Sequence, residues 1–134
     1  MPEVSVERSR QIKVLLVDDE QAYVNILSKR LSKRNFQVAT AFGGAAGIRV
    51  LRRQDFDVAV LELKMEDMDG IEVLKIFKKM VPELAVIMLT GHGSEQAARE
   101  GIEYGAFDYL TKPCDLEDLV EKIKEASRGG TASE

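Results

Sequence analysis

Among its 134 residues the chain has a single cysteine, Cys114. That excludes a disulfide framework and a cysteine-rich metal site, and it is the usage of a reduced, cytoplasmic protein. There is no tryptophan, and the aromatics, 6% of the residues, are scattered rather than set out as a stacking platform for bases. No stretch approaches the ~18 apolar residues of a membrane span, and the polar N-terminus lacks a signal-peptide core. Positive charge is in deficit, with 19 Lys and Arg against 23 Asp and Glu and a net charge of −4. Neither nucleic acid nor membrane is therefore expected as a partner.

What remains is the composition of a globular domain, 45% hydrophobic and 31% charged. A chain of this size buries roughly two-thirds of its unfolded surface, enough for one core. Residues 1–11 carry no sustained periodicity and read as a tail, residues 12–126 as the domain, and residues 127–134 as a polar tail. Short apolar runs are expected as strands at Ile12–Val17, Phe36–Ala41, Val58–Leu61, Ala85–Leu89 and Phe107–Leu110. Between and after them, apolar residues at helical spacing predict helices to about Lys33, over Ala45–Arg53, over Ile71–Met80, from Ser94 to near Tyr104, and from an N-cap at Asp115 to about Ala126. Near-continuous apolar strands alternating with helices imply a parallel sheet covered on both faces. Right-handed crossovers then favour an α/β, doubly wound, five-stranded sheet with five helices.

In such a sheet the strand C-termini share one edge, and ligands sit there at the topological switch point. Strand one ends on Asp18 and Asp19, strand three on Glu62, strand four on Thr90, and strand five on Thr111-Lys112. In the order 2-1-3-4-5, strands one and three are neighbours, so three carboxylates would meet beside a hydroxyl and an ammonium. Oxygen ligands without His or Cys suit a hard cation such as Mg²⁺, and a Lys with a Thr hydroxyl suits a phosphoryl group. Taken singly, each piece has a plainer reading. Asp18-Asp19 suits a helix N-terminus, Thr90 the start of a helix, and Lys112 solvent. Their joint placement at four strand ends carries the inference. Asp67 and Asp69 read as turn and helix-start residues, His92 as an ordinary loop residue, and Arg49, Arg52 and Arg53 as a solvated helix face. Ala97, Ala98 and Gly101 are small enough for tight packing on the sheet or for close contact with a partner.

The constellation resembles the receiver domain of two-component response regulators, a flavodoxin-like, single-domain type. The motifs that carry it are Val-Leu-Leu-Val-Asp-Asp-Glu at 14–20, Leu-Lys-Met-Glu-Asp-Met-Asp-Gly at 63–70, Val-Ile-Met-Leu-Thr-Gly at 86–91 and Gly-Ala-Phe-Asp-Tyr-Leu-Thr-Lys-Pro at 105–113. The resemblance implies that Asp18, Asp19, the acceptor position and the Lys64 main-chain carbonyl hold Mg²⁺. It implies that Thr90 and Lys112 contact the phosphoryl group, that the Lys112-Pro113 bond is cis, and that Tyr109 is a switch aromatic turning inward with Thr90. A sensor histidine kinase or phosphotransfer protein is the implied upstream partner. The face made by helix four, strand five and helix five is implied for a downstream target protein.

Two positions depart from the pattern. The family places the phosphate-accepting aspartate where this chain has Glu62, and usually proline where it has Glu66. An added methylene moves the attacking oxygen by about 1 Å, an error worth roughly 100-fold in an in-line reaction. Phosphotransfer to Glu62 is therefore expected to be slow or absent, and Mg²⁺ binding to be weakened. The longer side chain is instead expected to reach Lys112 or the Thr90 hydroxyl and imitate part of the phosphorylated charge. One charge-assisted hydrogen bond contributes about 1.5–3 kcal/mol. Reversing a switch takes about 5.5 kcal/mol, so a partial shift of the equilibrium follows.

The leading reading is a non-enzymatic signalling module acting by protein–protein interaction. The alternative keeps phosphate transfer from a histidine kinase to Glu62 or a neighbouring acid. A phosphatase with a strand-end aspartyl nucleophile is disfavoured because no Asp-x-Asp ends a strand. A flavin carrier is disfavoured because Asp18-Asp19-Glu20 would repel phosphate.

Overall fold

A computed structural model describes residues 11–91 and 93–129. The expectations for His92, for residues 1–10 and for residues 130–134 lie outside the described residues.

Five strands alternate with five helices: β1 Ile12–Val17, α1 Gln21–Ser32, β2 Phe36–Ala41, α2 Gly44–Arg53, β3 Val58–Glu62, α3 Gly70–Met80, β4 Ala85–Thr90, α4 Glu95–Glu103, β5 Asp108–Thr111 and α5 Leu116–Ser127. All pairings are parallel and the order is β2-β1-β3-β4-β5. This is the doubly wound sheet that the sequence pattern predicts, with the flavodoxin-like order that the resemblance implies. β3 and β4 each run one residue further than the apolar runs suggest, because Glu62 still pairs with Leu89 and Thr90 with Thr111. The ladder continues past the last apolar side chain and carries both polar residues into the sheet.

The strands are apolar on both faces because both faces are covered. Val14, Leu16, Val58, Val60, Ile87 and Leu89 meet Val24, Leu27 and Leu31 of α1 and Leu119, Val120 and Ile123 of α5. The alternate positions, Leu15, Val17, Ala59, Leu61, Val86 and Met88, meet Ile48 and Leu51 of α2 and Val73, Leu74 and Phe77 of α3. α4 lies on the same side as α3. A Cβ built on Gly101 would stand 3.3 Å from Met88 and 3.4 Å from Ile71, so small residues on this helix serve close packing.

Helix starts do not all follow the sequence signals. Asp115 occupies the N-cap of α5, as expected, but its side chain makes no capping hydrogen bond. Asp69 does cap α3, accepting from Ile71 N at 2.9 Å. Asp67 caps a different helix, accepting from Gly44 N at 3.0 Å and Ala45 N at 3.1 Å at the start of α2. Those two donors, in that order, hold its carboxyl below the usual range. The β3–α3 loop is thereby pinned to the β2–α2 corner, beside the switch point between β1 and β3.

Candidate functional site

β1, β3 and the residue after β5 deliver their polar ends to one cavity of about 560 Å³, whose walls include Asp18, Asp19, Glu20, Glu62, Lys64 and Lys112, while at the end of β4 it is Gly91 and not the buried Thr90 that lines it. Asp18, directly after β1, is 1% exposed. Its backbone N–H donates to Ala41 O at 3.1 Å, and its Oδ1 accepts from Glu20 N at 3.0 Å. Glu62, the last residue of β3, is 5% exposed. Its Oε2 accepts from Lys64 N at 3.1 Å, so the carboxylate folds back onto its own loop. That loop is held shut by a bridge between Lys64 and Asp69 and by Gly70 N donating to Leu63 O at 2.7 Å.

Lys112 is the centre of the arrangement. Its backbone N–H donates to Thr90 O at 2.7 Å, which fixes it at the end of β4, and the Lys112-Pro113 bond is cis. From there Nζ stands 2.6 Å from Glu62 Oε1, 2.7 Å from Glu20 Oε1 and 2.8 Å from Asp18 Oδ2. It also sits over the Tyr23 ring, 4.6 Å from its centre. Burial by itself would push the ammonium down. The carboxylates of Asp18, Glu20 and Glu62 outweigh that and hold it well above its ordinary value. Burial raises the Tyr23 hydroxyl to about 12, so the ring stays neutral beneath the ammonium.

Of the two contacts considered for Glu62, the structure has the one to Lys112. The Thr90 hydroxyl is fully buried and donates to the Gly91 carbonyl at 3.4 Å. Asp19 lines the same cavity, but its Oδ2 accepts from Glu66 N at 2.8 Å. The set whose oxygens converge is Asp18, Glu20 and Glu62, with one ligand atom from each lying within 4.8 Å of the others. Asp18 Oδ2 is buried and has no hydrogen-bond partner, its near neighbour being the out-of-line ammonium. A buried orphan carboxylate oxygen among further carboxylates fits a hard cation, and Mg²⁺ commonly takes one or two carboxylates plus water. The residues present thus suit the ion that the resemblance implies.

Glu20 and Tyr23 were not singled out as site residues in the sequence. Glu20 reads there as the tail of an acidic run, and Tyr23 as one apolar position of α1. The signal available was spacing: both lie within one helical turn of Asp18-Asp19. Tyr109 is half-buried, and its hydroxyl raises the Arg99 guanidinium of α4 above its ordinary value. Arg49, Arg52 and Arg53 are exposed, as a solvated face requires.

Comparison with known proteins gives the family and the fold. Residues 14–124 match the family described as the response regulator receiver domain. The transcriptional regulatory protein GlrR of Escherichia coli is 39% identical over 113 residues, 84% of this chain and 26% of that protein. The photosynthetic apparatus regulatory protein RegA of Rhodobacter capsulatus is 34% identical over 110 residues, 82% of this chain and 60% of that one. The chain thus spans about a quarter of the length of the first of these relatives. Among solved structures, a response regulator receiver domain protein from Clostridium thermocellum superposes with a TM-score of 0.85 at 32% identity, covering 92% of this chain and 99% of that one. A receiver domain protein from Methanospirillum hungatei gives 0.85 at 29% identity, over 93% and 100%.

Proposed function

The chain belongs to the response regulator receiver domain family, and from that premise we propose that it is a two-component signalling module in which Glu62 stands at the acceptor position, impairs phosphotransfer and supplies part of the phosphorylated charge itself. The observation that carries this is the contact of Glu62 Oε1 with Lys112 Nζ at 2.6 Å, made by a carboxylate whose residue is 5% exposed. A phosphoryl group would present its oxygens to the same ammonium. The imitation is partial, because a carboxylate brings one charge where an acyl phosphate brings nearly two.

Receiver domains bind Mg²⁺ through acidic residues, and an acidic cluster is present here. In this reading Asp18, Asp19, Glu62 and the Lys64 main-chain carbonyl hold the ion, more weakly than an aspartate site would. The ion would neutralise the carboxylates and steady an incoming phosphoryl group. Output is by binding another protein, through the face of α4, β5 and α5, with Tyr109 and Thr90 as the switch pair. Ile102 and Tyr104, at the end of α4, are exposed apolar residues that suit such a face. No described helix is long and apolar enough to cross a membrane.

The test is incubation with isotopically labelled acetyl phosphate or a histidine kinase, followed by mass mapping. No adduct at Glu62, together with a labile phosphoryl group on the Glu62→Asp variant, supports the proposal. An adduct on Glu62 at a rate matching that variant favours an ordinary phosphoacceptor and overturns it.

A further inference from the structure

Lys112 is held by three carboxylates that are not alike. Asp18 and Glu62 come from strand ends, and their side chains are 1% and 7% exposed. Glu20 comes from the N-cap of α1, and its side chain is 65% exposed. The Glu20 contact at 2.7 Å is an aligned hydrogen bond, whereas Asp18 Oδ2, at 2.8 Å, has no hydrogen-bond partner. Glu62, at 2.6 Å, holds the ammonium as an ion pair, and the arm from the solvent side adds the aligned bond that aims it. Glu20 acts twice, because its backbone N–H also donates to Asp18 Oδ1 at 3.0 Å.

The ammonium so placed lies against the same three residues whose oxygens converge within 4.8 Å as a candidate cation cluster. The ammonium and a divalent cation would compete for those oxygens. Asp18 Oδ2 faces Lys112 as an ion pair at 2.8 Å with no hydrogen-bond partner, so it can serve an ion once the ammonium leaves. We propose that Glu20 is a positioning residue that clamps Lys112 over the carboxylate cluster, so that a divalent cation enters only as the ammonium leaves and Glu20 sets the balance between the two. This rests on the reading of the cavity as a cation pocket. It goes beyond that reading in assigning Glu20 as the residue that keeps the ammonium in place.

The experiment is a Mg²⁺ titration of isotopically labelled protein, following the Lys112 ammonium resonance and the backbone amides of Asp18 and Glu62. In the native chain a protected ammonium resonance is expected before Mg²⁺ is added, and it is lost with the same midpoint at which the two amides shift. In Glu20→Gln, which keeps the reach and removes the charge, the ammonium resonance is expected to be lost already without Mg²⁺. Calorimetry supplies a second readout. Glu20→Gln weakens Mg²⁺ binding by a smaller factor in the native background than in Lys112→Met, because release of Lys112 offsets the lost charge only where Lys112 is present. An ammonium resonance that survives while the amides shift, or equal fold-changes in the two backgrounds, overturns the clamp. Absence of any shift at Asp18 and Glu62 at millimolar Mg²⁺ instead overturns the cation-pocket reading beneath it.

Discussion

Glu62 ends β3 and Lys112 follows β5, strands that are not neighbours, yet their charged atoms stand 2.6 Å apart. Lys112 closes the gap by crossing the end of β4, where its own backbone is bonded to Thr90 O at 2.7 Å. Glutamate reaches far enough to meet it. The pair is thus a clasp across the C-terminal edge of the sheet, tying β3 to the segment after β5.

Removing the charge at one end of that clasp tests its worth. Glu62→Gln keeps the shape but leaves the ammonium with Asp18 and Glu20 alone. The expected loss is about 1.5–3 kcal/mol, the range for a hydrogen bond to a charged group. Urea unfolding of the two proteins measures it, and a change within about 0.5 kcal/mol, that of an inconsequential surface substitution, contradicts the assignment.

How far the sequence foretold this edge depends on which residue is asked. The strands were legible because their apolar runs are short, bounded and buried on both faces, so Val58–Leu61 could hardly be anything else once alternation was seen. Asp18, Glu62, Thr90 and Lys112 were legible because each terminates such a run. Glu20 was not, because its role depends on Lys112, 92 residues away, and no local pattern encodes that meeting. Asp67 misled for the same reason. It sits in a turn where a carboxylate suits the next helix, but it caps α2, whose amides lie 22 and 23 residues earlier. Local signals report local partners, and both residues are satisfied at long range.

Alkaline pH provides a second test. The folded Lys112 titrates above its ordinary value of 10.5. A group raised on folding contributes stability that is complete below that ordinary value and is lost as pH rises through the folded one. Native protein should therefore lose thermal stability from about pH 10.5 upward through this residue. Lys112→Met should lack that component. At neutral pH the variant is the less stable of the two, by about 3 kcal/mol, since it strands buried carboxylates. Parallel melting curves for the two proteins across the alkaline range would contradict it.

At acid pH the opposite sign applies to Asp67. Its carboxyl is depressed below its ordinary 3.8, chiefly by the Gly44 and Ala45 amides. Its contribution is present above that value and lost as pH falls through the folded one. Asp67 is largely solvated, so screening limits Asp67→Asn to a loss of about 0.5–1 kcal/mol at neutral pH. The two proteins should converge in stability by about pH 2. Denaturant titrations at both ends of this range decide it, and a gap that stays constant with pH would mean that the capping charge does not matter.

The backbone beneath the site gives the most severe test, at Gly70. A Cβ there would stand 2.5 Å from Glu62 O and 2.6 Å from Leu63 O, both main-chain atoms that no rotamer change can move aside. Accommodating it means opening the loop that the Lys64–Asp69 bridge and the Gly70–Leu63 bond close. Glu62 is anchored to that loop through Lys64 N, so a shift there loosens its carboxylate as well. Gly70→Ala should then cost more than about 2 kcal/mol although alanine is the better helix former, because backbone displacement outweighs a propensity gain of about 1 kcal/mol. Gly93→Ala serves as the comparison, since a Cβ there meets nothing within 4 Å although its φ of +88° adds strain. The decisive readout is the chemical shift of Lys112, which should move in the Gly70 variant and stay in place in the Gly93 variant. If both leave it unchanged, the β3–α3 loop does not position Glu62, and its carboxylate is held by Lys112 alone.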